Sequence, residues 1–515
     1  MEVNSTTFWA ILPELMGALV DSRWVAIDVE MTGISTGGHF IPPGSTPQEA
    51  YQSVKQSAES YQILQIGFTF CKYNNITSEY ETRTIECPIS PLFPPGMGSK
   101  ALTQALNRKF ATSVSSYAFL RDHNFSFSKM LDSGVPYLSR EEELDVKRRD
   151  VQMLGDDIVD ISKLSGQNMQ FYSFYKSKIQ CALERATSRE RICVPVIGPT
   201  GQPLNNFETK LIYQTLRDEF PFLATTGLAT DGHFDVVWES IRHVFDALAG
   251  GEFASKIKES WILGGAQNCR IDPLNSNNRP GFGYAPDMSQ VEAILKARSP
   301  IIVGHNLFHD LAFIYRTFFG HLPENLDEFL STIHKLFPRI IDTKYMFLKS
   351  QAHQGQVATN RSLSELYSMY GTRQLPFIRS TDNFIEKSEN FHHAGQDSAL
   401  TMTLFLKQAV YIKSFWTQSR SVPEMLCRPR ESILDEQGEW EKASRCGLDR
   451  YAPLTASPAR DSFPGVDPSL QDSPPQRLEN YSVKEASIMP PWSEAFWREF
   501  GNKTRIGNAG IVEFK

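Results

Sequence analysis

WVAIDVE, Trp24 to Glu30, reads as a short buried strand that closes on two acids. Alternate strand side chains point to one face, so Asp28 and Glu30 project together. Two carboxylates held that close repel each other unless something positive sits between them, and a divalent cation would supply that charge. A solvated strand end carrying two acids by chance would look the same, so this pair alone decides little. Reading outward, ILQIGFTFCKY (Ile63 to Tyr73) is a second strand and TRTIECPIS (Thr82 to Ser90) its hairpin partner.

Further along, PIIVGHN from Pro300 is an apolar strand broken by Gly304, and LFHDLAFIYRTFF is the helix after it. FPRIIDTKYM from Phe337 reads as another strand. SLSELYSMYG from Ser362 carries a capping box, Ser362 with Glu365, and a terminal Gly371. AGQDSALTMTLFLKQAVYIK from Ala394 is a long helix. Strands followed by helices point to an α/β domain around a central sheet.

Composition sets the frame. The chain has 515 residues, 41% of them hydrophobic and 22% charged, which is ordinary for a globular protein and excludes a collagen-like, wholly disordered or disulfide-scaffold chain. At about 150 residues per domain it holds two to four domains, or one with insertions. The net charge of −7 offers polyanions no global attraction, so any nucleic acid binds in a local groove. The seven cysteines include no C-x-x-C pair, which argues against a zinc ribbon, and their sparse, odd count fits a reducing compartment. The first residues lack a basic stretch and are interrupted by Pro13 and Glu14, so no signal peptide is expected; no run approaches 18 apolar residues, so no membrane span is expected.

Three regions emerge. Residues 1–164 and 256–415 carry the strand–helix rhythm. Residues 165–255 interrupt it with a Gly/Pro loop (VIGPTGQPLNNF), an amphipathic helix (FETKLIYQTLRDEF) expected to pack on its own strands, and a possible strand (HFDVVWES). Residues 416–515 hold ten of the thirty prolines and read as a largely disordered tail. Its final stretch, MPPWSEAFWREFGNKTRIGNAGIVEF, recovers aromatics and suits docking back on the core or binding a partner.

Asp310 lies in the first turn of the helix after PIIVGHN, where a carboxylate also simply suits a helix N-terminus. Asp397 follows His392 and His393 in HHAGQD, again at a helix start. Taken together, Asp-x-Glu on a strand, Asp after a Gly-His-Asn turn, then His-x-x-x-x-Asp resemble the three exonuclease motifs of the DEDD superfamily in its His subclass. The blocks AIDVEMTGIS, FSKMLDSGVPYLSREEE, KLIYQTL, VGHNLFHDL, FPRIIDTKYM and HHAGQDS are similar, in the same order, to those of the poly(A)-specific ribonuclease (PARN) family, from about Trp24 to Ile412.

The resemblance implies a ribonuclease H-like exonuclease domain with a mixed central sheet, an inserted small α+β domain related to a single-stranded nucleic-acid module, and a disordered tail. It implies Asp28, Glu30, Asp310 and Asp397 as ligands of two Mg2+ ions, for which Mn2+ can substitute, and His392 as general base. His393 stands where the sibling subclass has Tyr and is the alternative base. Asp342 is read as supporting the site rather than ligating, and Lys344 as either a phosphate contact or a solvated strand-end lysine. Hard carboxylate oxygens suit magnesium, two such ions stabilise an in-line displacement, and a neutral histidine can accept the water's proton. The implied activity is 3′-to-5′ removal of poly(A) from single-stranded RNA ends with release of 5′-AMP, in the nucleus, the cytoplasm or both. The inserted domain implies a homodimer.

Three departures stand out. Met31 replaces the Phe common in animal members, FETKLIYQTL lacks the Arg–His pair of the nucleic-acid module, and the tail shows no RNA-recognition motif. Other readings are a 3′-end trimmer of small RNAs with the same site, a catalytically inactive RNA-binding scaffold and a DNA exonuclease.

Overall fold

The computed structural model describes residues 1–34, 44–92, 108–145, 159–185, 194–195, 204–219, 230–231, 241–257, 262, 287–357, 359–382, 393–419 and 489–515. The chain divides into two compact units: Met1–Ser90, Phe110–Val135 and Ile241–Lys515 form the first, Pro91–Lys109 and Pro136–Ser240 the second.

The first unit is built on β1 (Trp24–Met31), β2 (Ile63–Asn74), β3 (Glu79–Ser90), β4 (Ile301–Gly304) and β5 (Ile340–Asp342). They lie in the order β3–β2–β1–β4–β5 within a seven-stranded sheet. β1–β2–β3 is an antiparallel meander, while β4 runs parallel to β1 and β5 parallel to β4. The unit is therefore mixed α/β. At the β2–β3 turn the Asn74 Oδ1 accepts the Ile76 and Thr77 amides at 2.9 and 3.2 Å, and Ser78 turns at φ +59°.

β1 is paired on both edges and all eight of its residues are buried. Trp24, Ala26, Asp28 and Glu30 share one face. The helices of this unit include α1 (Pro47–Ser60), opened by a Thr46/Glu49 capping box, α2 (Phe308–Phe318), α3 (Thr343–His353) and α4 (Ala394–Ser419). α4 covers the Trp24 face: Met402, Phe405, Leu406 and Ala409 join Trp24 and Ala26 in one core cluster. Each large apolar side chain buried this way contributes about 1.5–3 kcal/mol. The helix runs so that its apolar middle meets the Trp24 end of β1 and its first turn meets the acidic end.

Several expectations change. FPRIIDTKYM is a strand only over β5. Asp342 ends it by accepting the Lys344 and Tyr345 amides (2.9 and 3.2 Å), which caps α3. The insertion is bounded differently from 165–255. Helix Arg242–Leu248 belongs to the first unit because Phe245 stacks on Phe318 (4.4 Å between ring centroids) and meets Phe68 (5.5 Å) on the far side of the sheet. Residues 136–164 go instead with the second unit.

The final stretch of the 416–515 region docks back on the core, one of the two roles its aromatics suited. α4 continues to Ser419, and residues 489–515 are folded, with α5 (Ala495–Phe500), β6 (Lys503–Arg505) and β7 (Ile511–Glu513). Met489, Phe496, Trp497 and Phe500 enter the core cluster under Trp24. The Asn502 amide donates to the Ile340 carbonyl and its Oδ1 accepts the Ile340 amide, each at 2.8 Å. These bonds cover the outer edge of β5, which would otherwise offer bare backbone groups to another strand.

In the second unit, helix Asn206–Glu219 packs Leu211 and Ile212 on Phe171, Tyr175 and Ile179 of helix Gly166–Arg185. Among the described residues the KLIYQTL segment meets a helix, and the strands described there are the two-residue Val194–Pro195 and Thr230–Asp231. Arg108 clamps the unit with two 2.7 Å bonds to the Glu142 carboxylate and a third, 2.9 Å, to the Tyr137 carbonyl. HFDVVWES lies outside the described residues.

Candidate metal centre

Asp28 and Glu30 lie opposite Gly67 and Gln65 across the β1–β2 ladder. Residues opposite one another share a face, so Asp28, Glu30, Gln65, Gly67 and Thr69 line the surface that α4 approaches. Glu86 of β3, opposite Gly67, continues that row.

Gly67 explains how near α4 comes. A Cβ there would lie 1.8 Å from the Ala394 carbonyl oxygen and 2.6 Å from the Gly395 nitrogen. Only the absence of a side chain lets the two backbones meet. Around that contact the first turn of α4 is held by hydrogen bonds. The Ala394 amide donates to Gln65 Oε1 (3.0 Å) and the Gly395 amide to Glu86 Oε2 (3.2 Å). The Ser398 hydroxyl bonds that of Thr69 at 2.9 Å. Two of the otherwise orphaned N–H groups at the helix start are thereby satisfied, one of them by a carboxylate.

The arrangement delivers Asp397. Asp28, Glu30 and Asp397 each offer a carboxylate oxygen, and these oxygens lie within 4.8 Å of one another. The three residues are 2%, 4% and 6% exposed. Three buried carboxylates this close repel strongly unless a cation or protons neutralise them. An all-oxygen, anionic donor set fits a hard divalent ion such as Mg2+ or Mn2+.

Asp310 is buried in the first turn of α2, at the end of the sheet where β4, parallel to β1, also ends. It stands outside the three-carboxylate cluster. His392 lies outside the described residues. His393 is the residue before α4, and its carbonyl accepts the Asp397 amide at 2.9 Å. Burial pushes the Glu86 carboxyl above its usual 4.5, and the charge of His393 and the Gly395 amide pull against that rise.

Asp342 is fully buried and its carboxylate is taken up by the chain itself. Besides the two amides at the start of α3, it accepts the Asn306 amide (3.0 Å), the Leu307 amide (3.1 Å) and the Thr504 hydroxyl. It braces the turn before α2 and stands outside the Asp28–Glu30–Asp397 cluster. Lys344 is buried rather than solvated.

The residues that hold α4 were missed on sequence, although β2 carries a signal. Gln65, Gly67 and Thr69 are polar or small at every second place in an otherwise apolar strand. That pattern marks a face approached by another backbone rather than by side chains.

The CAF1 family ribonuclease model matches residues 3–405. The chain belongs to this family. Similar to this CAF1 family member are the poly(A)-specific ribonuclease PARN of Danio rerio, 28% identical over 82% of this chain and 61% of that protein, and the PARN of Homo sapiens, 26% identical over 84% and 65%. The pre-piRNA 3′-exonuclease trimmer of Bombyx mori is 23% identical over 79% and 70%. The chain spans somewhat under two thirds of the length of the PARN proteins it matches. Among solved structures, Pop2p of S. pombe in its Mg2+- and Mn2+-bound form aligns over 78% of this chain and 89% of its own, at 12% identity and a TM-score of 0.35. No helix among the described residues of this family member is long and apolar enough to cross a membrane.

Proposed function

We propose that the chain is a divalent-metal-dependent 3′-to-5′ exoribonuclease that shortens poly(A) at RNA 3′ ends and releases 5′-AMP. The observation that carries this reading is the buried Asp28–Glu30–Asp397 cluster. Asp310, at the same end of the sheet, is the fourth carboxylate assigned to it. When bound, two Mg2+ or Mn2+ ions supply Lewis-acid stabilisation of the attacking and leaving oxygens. The chain's own part is to hold and space the carboxylates, to keep bulk water away so that charge interactions strengthen, and to accept the attacking water's proton at His392. The PARN relatives support poly(A) as substrate. The second unit is assigned a role in homodimer formation.

The test is a substrate panel with Mg2+: oligo(A), oligo(U), oligo(C), mixed-sequence RNA and DNA. Oligo(A) is expected to be degraded fastest. The similarity to a pre-piRNA trimmer favours a second reading, in which the same site trims 3′ ends of small RNAs. Equal rates on oligo(A) and mixed RNA would select it. Hydrolysis that survives complete chelation of divalent ions would sink both.

A further inference from the structure

The turn joining β4 to α2 is under constraint at every residue. Gly304 faces Leu307 so closely that a Cβ would lie 2.3 Å from its Cδ1. His305 Nδ1 meets Thr343 Oγ1 at 2.9 Å, and that hydroxyl also donates to the Gly304 carbonyl at 3.2 Å. Asn306 adopts φ +56°, a left-handed conformation that costs energy for any residue but glycine. The Asn306 and Leu307 amides both donate to Asp342, whose Oδ2 also takes the Thr504 hydroxyl. Three residues after Leu307 comes Asp310.

Thr504 is fully buried on β6, in the segment whose neighbour Asn502 is bonded to β5. Tyr345 adds a bond from its hydroxyl to the Glu499 carbonyl at 3.0 Å. The C-terminal segment therefore does more than shield an edge: it supplies one of the five hydrogen bonds that fix the Asp342 carboxylate. A carboxylate that orients backbone amides holds the turn only as well as its own remaining donors hold it.

We propose that Thr504 is a positioning residue for the metal centre, acting through Asp342 on the 304–307 turn and so on the placement of Asp310. This rests on the proposed metal-dependent function. It assigns to residues 489–515, which lie beyond the 3–405 span of the family match, a part in completing the site.

The experiment is a Mn2+ titration of the full chain followed by calorimetry, with thermal unfolding recorded in metal-free buffer. Thr504→Val keeps the shape and removes the donor; Thr504→Ser keeps the donor. Outer partners of metal ligands typically matter by about 10–100-fold in metal affinity. Because Thr504 stands one contact further out, the low end is expected: roughly tenfold weaker Mn2+ binding for Thr504→Val, and near wild-type binding for Thr504→Ser. Thr504→Ala is the second donor-deleting variant should the Val form not fold. A Val or Ala variant that melts earlier but binds Mn2+ as tightly as wild type would show a structural role only and overturn the inference. So would weakened binding in Thr504→Ser equal to that in Thr504→Val. A wild-type chain that does not bind Mn2+ at all would overturn the nuclease reading itself, and the inference with it.

Discussion

Asp28 and Glu30 are positioned by a different route from Asp397 and from Asp310, the carboxylate proposed to join them. The first two need only the two-residue period of β1, a strand locked by pairing on both edges. The other two sit at helix starts, and each helix start is held by groups far away in sequence: Gln65, Gly67, Thr69 and Glu86 for α4, Asp342 and Thr504 for the turn before α2. One half of the site is therefore a property of a strand. The other half is a property of packing, and it can be loosened without touching any acid.

The sharpest way to break the strand half is Asp28→Asn. It removes an anionic oxygen from the buried trio and should abolish measurable RNA hydrolysis, with no recovery at alkaline pH. Appreciable residual activity at saturating Mg2+ would show that the trio is not the catalytic centre.

His392→Ala tests the approach to α4 without touching the carboxylates. Loss of a general base costs about 10²–10⁴-fold in rate, and RNA binding should persist. Part of the rate should return as pH rises, because hydroxide becomes more available. His393→Ala should be mild. If rate assays show the reverse pattern, the base is His393.

Gly67→Ala attacks the packing half directly. The new methyl would collide with backbone, which cannot rotate away as a side chain can. Overpacking of this kind costs about 1–3 kcal/mol of stability. Denaturant unfolding should show that loss together with weakened metal binding, since Asp397 moves with the helix start. Lost stability with unchanged metal affinity would detach Asp397 from the Gly67 contact.

Glu86→Gln should have the smallest effect, and it carries a sign. Burial raises the Glu86 carboxyl in the folded chain above its usual 4.5. The folded state thus binds that proton more tightly than the unfolded state does. Its contribution to stability is complete below about 4.5 and declines as pH rises through the folded value. The neutral variant escapes that decline. Measured against wild type, it should be relatively more stable at pH 8 than at pH 4.5. The opposite trend in chemical unfolding would mean that His393 and the Gly395 amide outweigh burial.

The same division explains what was readable in advance. β1, the β2–β3 hairpin, the Gly-His-Asn turn, the Ser362 capping box and α4 each follow from local period or from a cap written within four residues. The three clustered acids came from motif order laid on those elements. What stayed hidden depends on contacts across hundreds of residues. Asp342 looks like a strand residue until its carboxylate is seen capping α3 and bracing the 304–307 turn. Phe245 looks like part of an insertion until it stacks on Phe318. Residues 489–515 are rich in aromatics, but nothing local says that they cover β5. The helix of FETKLIYQTL was visible as amphipathic; that its partner is another helix was not.

The sheet order has a further consequence, for the time course of folding. The β2–β3 turn closes a loop of four residues, whereas Trp24 finds its parallel partner Ile301 only after most of the chain has been made. Closing long loops is slow because the entropy is lost before the contacts form. The meander carrying Asp28 and Glu30 is thus expected to exist as an early intermediate, its acids still bathed in water. Asp310 and Asp397 arrive with the late steps, so ion affinity should appear after most secondary structure has formed. In a refolding experiment, the far-ultraviolet signal should lead and metal-dependent protection should trail.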